Sequence, residues 1–101
     1  MPTTVLVVDD VPANRELLRQ TLEPMGCEIL LAADGETALK VAVRGKPDLI
    51  LLDVMMPGIG GYETCRRLKA SDPLRAIPVI FITAQHETPS VVEGFRAGGG
   101  F

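Results

Sequence analysis

The stretch that decides the fold of this 101-residue chain is Val5-Leu6-Val7-Val8-Asp9-Asp10. Four consecutive apolar residues lead directly into two aspartates, and the pattern returns in Leu49-Ile50-Leu51-Leu52-Asp53. Neither apolar run alternates with polar residues, so each predicts a strand that is covered on both faces. Val79-Ile80-Phe81-Ile82 predicts another such strand, and the more mixed Cys27–Ala32 predicts a strand nearer a sheet edge.

Helical patterns lie between and after these strands. Helices are expected at Ala13–Met25, at Gly35–Arg44, at Tyr62–Ala70 and from Thr88 toward Ala97, with Gly26 and Gly45 ending the first two. Strict alternation of strands and helices predicts an α/β fold. Its sheet is expected to be parallel, with right-handed crossovers and helices on both faces.

Composition limits the classes of protein that the chain can belong to. A hydrophobic fraction of 47% and a charged fraction of 23% are typical of one folded domain, taken here as residues 1–101. The net charge of −3 and the pI of about 5.0 give no general reason to bind nucleic acid or an anionic membrane. The apolar runs are far shorter than the ~20 residues that span a bilayer. With no signal peptide and only two cysteines, we expect a cytoplasmic protein.

Acidic residues follow the predicted strands at the point where each one ends. Asp9 and Asp10 follow the first strand, Asp53 ends the third, and Thr83-Ala84 follow the fourth. Ligands of open parallel sheets bind beyond the carboxyl ends of the strands, so these residues are expected to converge. One such aspartate could merely cap a turn. Three together would repel one another, and a hard divalent cation such as Mg²⁺ relieves that repulsion.

Two other kinds of site are disfavoured by the same loops. Asp9-Asp10-Val11-Pro12 has neither the glycines nor the free amides of a phosphate-cradling loop, which argues against a dinucleotide or flavin site. His86 is the sole histidine and the chain has no Gly-x-Ser-x-Gly motif, which argues against a serine hydrolase.

The order of these motifs resembles the receiver domain of two-component response regulators. The resemblance rests on Val5–Asp10, on Pro12-Ala13-Asn14 before Leu17-Leu18, on Pro47–Asp53, on Val54–Gly61 and on Pro78–Ala84. It implies a doubly wound, flavodoxin-like sheet with strand order 2-1-3-4. The family's fifth strand, with its lysine, and its fifth helix have no counterpart here, so we expect a domain that is incomplete at its C-terminus.

The resemblance also implies a role for each site residue. Asp53 would be the phosphoacceptor, and Mg²⁺ would be held by Asp9, Asp10, Asp53 and the backbone carbonyl of Met55. Thr83 would bind the phosphoryl group through its hydroxyl, and Ala84 through its backbone N–H. The partner would be a sensor histidine kinase or a phosphotransfer protein. The chemistry would be self-catalysed phosphoryl transfer with slow autodephosphorylation. An aspartyl-phosphate phosphatase is disfavoured because Met55 stands where that class places a second acid.

The expected absence of a fifth strand leads to an alternative function. Val79–Ile82 would then be an exposed apolar edge, which favours pairing with another chain. We therefore expect self-association, as a dimer or by exchange of an element. The alternative is an interaction or oligomerisation module that works through this edge independently of phosphorylation.

Overall fold

The computed structural model describes residues 2–82 of the chain. The strands are β1 (Thr4–Val8), β2 (Glu28–Ala32), β3 (Leu49–Asp53) and β4 (Val79–Ile82), and the helices are α1 (Pro12–Leu22), α2 (Gly35–Gly45) and α3 (Gly60–Lys69). Short 3-10 turns at Glu23–Met25 and Leu74–Ala76 follow α1 and precede β4. The helix predicted after Thr88 lies outside the described residues, as do Thr83 and Ala84.

The four strands form one parallel sheet with the order β2-β1-β3-β4. This confirms the doubly wound α/β fold and the strand order 2-1-3-4. From β1 the chain first adds β2 on one side of β1, and it then crosses back to add β3 and β4 on the other side. Right-handed crossovers therefore place α1 on one face of the sheet and α2 and α3 on the other. The reversal point lies between β1 and β3.

Both faces of β1 are buried, as its uninterrupted apolar sequence predicts. Val5 and Val7 are 2% and 0% exposed, while Leu6 and Val8 belong to the main core. That core joins the sheet to α2 and α3 through fully buried side chains, among them Ala38, Ala42, Ile50, Leu52, Cys65, Leu68 and Val79. Each buried Leu or Ile stabilises the fold by roughly 1.5–3 kcal/mol. Because these side chains belong to the strands and to the helices packed on them, the core holds the strands in their register.

The ends of two helices differ from the sequence prediction. α1 stops at Leu22, and residues up to Met25 continue as a 3-10 turn. Pro24 accounts for this change because proline has no N–H to donate to the carbonyl four residues earlier, so the regular α-helical hydrogen bonds stop there. At the end of α2 the left-handed residue is Lys46, with φ of 46°, rather than Gly45. Gly45 itself packs closely against β2, since a Cβ there would overlap Leu30 Cδ1 unless that side chain moved.

Helix α1 is the least buried of the three described helices. None of its side chains is fully buried, and Leu17 is 62% exposed. Met25, predicted to be the last residue of this helix, is 73% exposed in the 3-10 turn that follows. Within residues 2–82, no helix combines the length and the apolar character needed to cross a bilayer.

Candidate functional site

The site lies where β1 and β3 end side by side. Val8 pairs with Leu52, so the next residues along the two strands are Asp9 and Asp53. Because this is also the point where the chain reverses direction across the sheet, a crevice for a ligand is expected here. Asp10 follows in the bend after β1. The register of the sheet thus brings together the three aspartates that the sequence singled out.

Both strand-end carboxylates are fixed by the backbone that follows them. Asp9 Oδ1 accepts a hydrogen bond from the Val11 N–H at 2.9 Å. Asp53 Oδ1 accepts one from the Met55 N–H at 3.1 Å. Such side-chain turns are characteristic of aspartate where a chain leaves regular structure. They hold each carboxylate against the sheet edge rather than letting it extend into solvent.

The three carboxylates form a compact cluster of negative charge. One oxygen from each of Asp9, Asp10 and Asp53 lies within 4.8 Å of the others. Asp9 and Asp53 are buried, at 4% and 7% exposure. Within residues 2–82, no arginine or lysine forms an ion pair with any of them. Within the described residues, the negative charge of the cluster is therefore not neutralised by a direct ion pair.

The crowding changes the acidity of Asp53. Burial raises the pKa of this carboxyl from 3.8 to about 6, because the charged form loses hydration. The Met55 N–H acts in the opposite direction, and the charges of Asp9 and Asp10 raise the pKa further. Without a metal ion, ionisation of Asp53 is therefore unfavourable relative to a solvated carboxyl group, because hydration is lost and two negative charges lie nearby.

The donor set fits a hard divalent cation. Three carboxylate oxygens at this spacing, two of them on buried residues, match the oxygen ligands that Mg²⁺ prefers. Asp9, Asp10 and Asp53 are the side chains that could hold it. Bringing a cation to the cluster would remove the repulsion that raises the pKa of Asp53.

The loop after Asp53 is fixed by a close contact with the start of α3. Gly61 donates its N–H to Val54 O at 3.2 Å. A Cβ on Gly61 would overlap Asp53 O and lie 2.7 Å from Val54 Cα. Glycine at position 61 is therefore what lets the helix approach the candidate acceptor residue so closely.

Sequence reasoning did not single out Arg15, which contacts the site directly. Its Nη1 donates a hydrogen bond to the Asp9 carbonyl oxygen at 2.8 Å. Arg15 lies in the first half of α1, six residues after Asp9, and nothing in the linear sequence distinguishes it from the other arginines of the chain. Thr83 and Ala84, the other predicted site residues, lie outside the described residues.

Comparisons with known proteins agree with this architecture. The family model of the response regulator receiver domain matches residues 5–100. The chain is 46% identical over 98 residues to the response regulator PleD of Caulobacter vibrioides and 43% identical to the transcriptional regulatory protein AfsQ1 of Streptomyces coelicolor. These alignments cover 97% of this chain but only 22% and 42% of the two relatives, so the chain spans less than half of their length.

Solved structures extend the likeness to the fold. The N-terminal domain of a response regulator receiver protein from Methanoculleus marisnigri matches with a TM-score of 0.84 at 38% identity, covering 96% of this chain and 79% of that one. The chemotaxis protein CheY4 of Vibrio cholerae matches with a TM-score of 0.90 at 30% identity, covering 98% and 82%. The sheet order, the acidic cluster and these matches together establish that the chain belongs to the response regulator receiver domain family.

Proposed function

We propose that this domain accepts a phosphoryl group on Asp53 from a phosphohistidine of a sensor histidine kinase or a phosphotransfer protein, in a Mg²⁺-dependent reaction. The observation that carries the proposal is the cluster of Asp9, Asp10 and Asp53, whose carboxylate oxygens lie within 4.8 Å of one another. The described residues supply no cation in an ion pair with it. Phosphoryl transfer depends mainly on positioning and on neutralising charge, and the cluster suits both needs.

In the proposed reaction an Asp53 oxygen attacks the phosphorus atom. The new O–P bond forms as the P–N bond to the donor histidine breaks, and the imidazole keeps the bonding electron pair. Met55 N–H holds Asp53 Oδ1 during the approach. Asp9 and Asp10, with Asp53 and the Met55 carbonyl, would hold Mg²⁺. The bound ion would neutralise charge on the carboxylates and on the transferring group.

Two further residues complete the proposal. The Thr83 hydroxyl would donate to a phosphoryl oxygen of the product, and the Ala84 backbone N–H would donate to another. Slow autodephosphorylation would follow from attack of water on the same phosphorus atom, which releases the Asp53 carboxylate and inorganic phosphate. We also place the domain in the cytoplasm, with no direct role in binding nucleic acid. Cys27 and buried Cys65 are free thiols, as is usual in a reducing compartment.

The experiment is chemical phosphorylation of the full chain with acetyl phosphate, followed by intact-mass spectrometry. We expect the mass of one phosphoryl group to be gained in Mg²⁺ and not in EDTA. Asp53→Asn should abolish the gain. Asp72→Asn is the matched control, because Asp72 is exposed and paired with Arg75 far from the cluster. Equal labelling of the Asp53→Asn variant would overturn the proposal.

A second candidate function rests on exposed apolar surface. Leu17 and Met25 are 62% and 73% exposed, and within residues 2–82 β4 pairs only with β3. We propose, as the alternative, self-association through such surfaces. Light scattering distinguishes the two functions: an interaction module forms the same dimer with or without Mg²⁺, acetyl phosphate or Asp53→Asn. An oligomeric state that follows phosphorylation would instead tie assembly to the receiver chemistry.

A further inference from the structure

The peptide bond between Asp9 and Asp10 joins two of the three clustered carboxylates. Asp9 N–H donates the last sheet hydrogen bond at this end of β1, to Ala32 O at 3.1 Å. Beyond that bond the chain bends away from the sheet. The Asp9 carbonyl therefore lies just beyond β1, and the N–H and Cα of Asp10 belong to the same peptide plane.

Arg15 supplies the missing partner. Its Nη1 donates to the Asp9 carbonyl oxygen at 2.8 Å, and this contact is partly shielded from solvent. A peptide group is planar, so fixing its carbonyl also fixes the direction of the Asp10 N–H and Cα. The guanidinium thus orients the residue that carries the third carboxylate without touching that carboxylate in an ion pair.

Two other basic side chains within residues 2–82 have partners elsewhere. Arg19, one turn further along α1, pairs with Glu16 and Glu23. Lys69 donates to the carbonyls of Arg75 and Ile77, in the segment that precedes β4. Within residues 2–82, Arg15 is the one basic side chain with a hydrogen bond to a residue of the acidic cluster.

We propose that Arg15 is a positioning residue for the cation site: through the Asp9 carbonyl it sets the Asp9–Asp10 peptide so that Asp10 faces Asp53. This inference rests on the proposed function, since it concerns the same site. It assigns Arg15 no contact with the phosphoryl group. Its effect is exerted on the geometry of the metal ligands before any phosphoryl donor arrives.

The direction in which Mg²⁺ affinity changes when Arg15 is replaced distinguishes a positioning role from a purely electrostatic one. Removing a positive charge near three carboxylates, by itself, strengthens Mg²⁺ binding. Removing the hydrogen bond that orients Asp10 weakens it, because the ligands must then be ordered on binding. We expect Arg15→Met to weaken Mg²⁺ binding about 3–10-fold, which is the loss of one oriented hydrogen bond. Arg15→Lys, which keeps a donor and the charge, should recover part of that loss.

The experiment is calorimetric titration of the metal-free full chain with MgCl₂, without any phosphoryl donor. Arg19→Met is the matched control, since it removes an arginine from the same helix and should leave Mg²⁺ affinity within 2-fold of the unmodified chain. The amide resonance of Asp10 in a ¹⁵N–¹H spectrum of metal-free protein gives a second readout. It should move in Arg15→Met and stay in place in Arg19→Met.

The outcomes are distinct from those of the proposed function. Unchanged or tighter Mg²⁺ binding by Arg15→Met, beside normal binding by the unmodified chain, overturns the role of Arg15 and leaves phosphorylation at Asp53 untouched. Failure of the unmodified chain to bind Mg²⁺ overturns both. A lower melting temperature with unchanged affinity assigns Arg15 a purely structural role and also contradicts the inference.

Discussion

The Met55 N–H donates a hydrogen bond to Asp53 Oδ1 at 3.1 Å, so the backbone two residues downstream holds the candidate phosphoacceptor at the end of β3. The same relation joins Val11 to Asp9 at the end of β1. Adjacent parallel strands therefore present two carboxylates that are fixed in the same way. The two hydrogen bonds fix the orientation of the carboxylates, but the arrangement brings negative charges close together. Within residues 2–82, no basic side chain forms an ion pair with either carboxylate.

One prediction concerns the pH dependence of stability in metal-free protein. The folded state raises the pKa of Asp53 from 3.8 to about 6, so it binds this proton more tightly than the unfolded state does. The unfolding free energy should therefore fall as pH rises from about 4 to above 6. At pH 7.5 the ionised carboxylate should cost about 1–2 kcal/mol, allowing for screening by solvent at the open edge of the site.

The measurement is urea unfolding in EDTA at pH 5 and at pH 7.5. Asp53→Asn removes the titrating group, so this variant should be more stable than the unmodified chain at pH 7.5. Its stability should also change less between the two pH values. Parallel pH profiles for the two proteins would show that Asp53 does not carry the electrostatic cost assigned to it.

A second prediction links Mg²⁺ to that proton. A cation bound among Asp9, Asp10 and Asp53 favours the ionised carboxylate, so binding near pH 6 should release a fraction of a proton. Calorimetry in two buffers of different ionisation enthalpy measures this release. It should decline by pH 8, where Asp53 is already ionised, and vanish in Asp53→Asn. A release of the same size at both pH values contradicts the assignment.

A third prediction compares two glycines that follow Asp53, one needed for close packing and the other for a left-handed backbone conformation. Gly61→Ala places a Cβ against backbone atoms of Asp53 and Val54, which have no freedom to move aside. We expect a loss of about 3 kcal/mol in unfolding free energy, the upper range for overpacking. Gly58→Ala is the control, since its φ is 79° and a Cβ there meets nothing within 4 Å. Its cost should be about 1 kcal/mol, from the left-handed backbone alone.

These costs are read from urea unfolding of both variants. Gly61→Ala should also weaken Mg²⁺ binding, because the overlap falls on the backbone that carries Asp53. Gly58→Ala should bind Mg²⁺ normally. Equal stability losses in the two variants would mean that the contact of Gly61 with the end of β3 is not as tight as described.

Much of the fold follows from local sequence pattern. The uninterrupted run Val5–Val8 predicts a strand buried on both faces. Strict alternation of strands and helices is typical of an α/β fold with a parallel sheet. The order 2-1-3-4 came from the family resemblance rather than from the pattern. The sequence pattern predicts that the first helix continues to Met25, whereas α1 ends at Leu22. Pro24 has no N–H for the next α-helical hydrogen bond, and this local effect outweighs the pattern.

Features that depend on three-dimensional packing could not be predicted from the local sequence pattern. The sequence predicts that Gly45 stops the helix, yet Gly45 is the last residue of α2 and Lys46 adopts the left-handed conformation. The close approach of Gly45 to Leu30 is a tertiary contact that the local pattern does not show. At the site, three aspartates were identified from their positions at strand ends. The bond from Arg15 to the Asp9 carbonyl depends on the pitch of α1 and on one rotamer, and neither is visible in a linear sequence.

The central claim is that Asp53 is the residue that becomes phosphorylated. Reduction with borohydride after treatment with acetyl phosphate and Mg²⁺ converts an aspartyl phosphate to homoserine, and peptide mass spectrometry locates it. We expect homoserine at position 53, with none at position 9 or 10 and none when EDTA replaces Mg²⁺. Homoserine at another aspartate, or none in a folded protein that binds Mg²⁺, would contradict it.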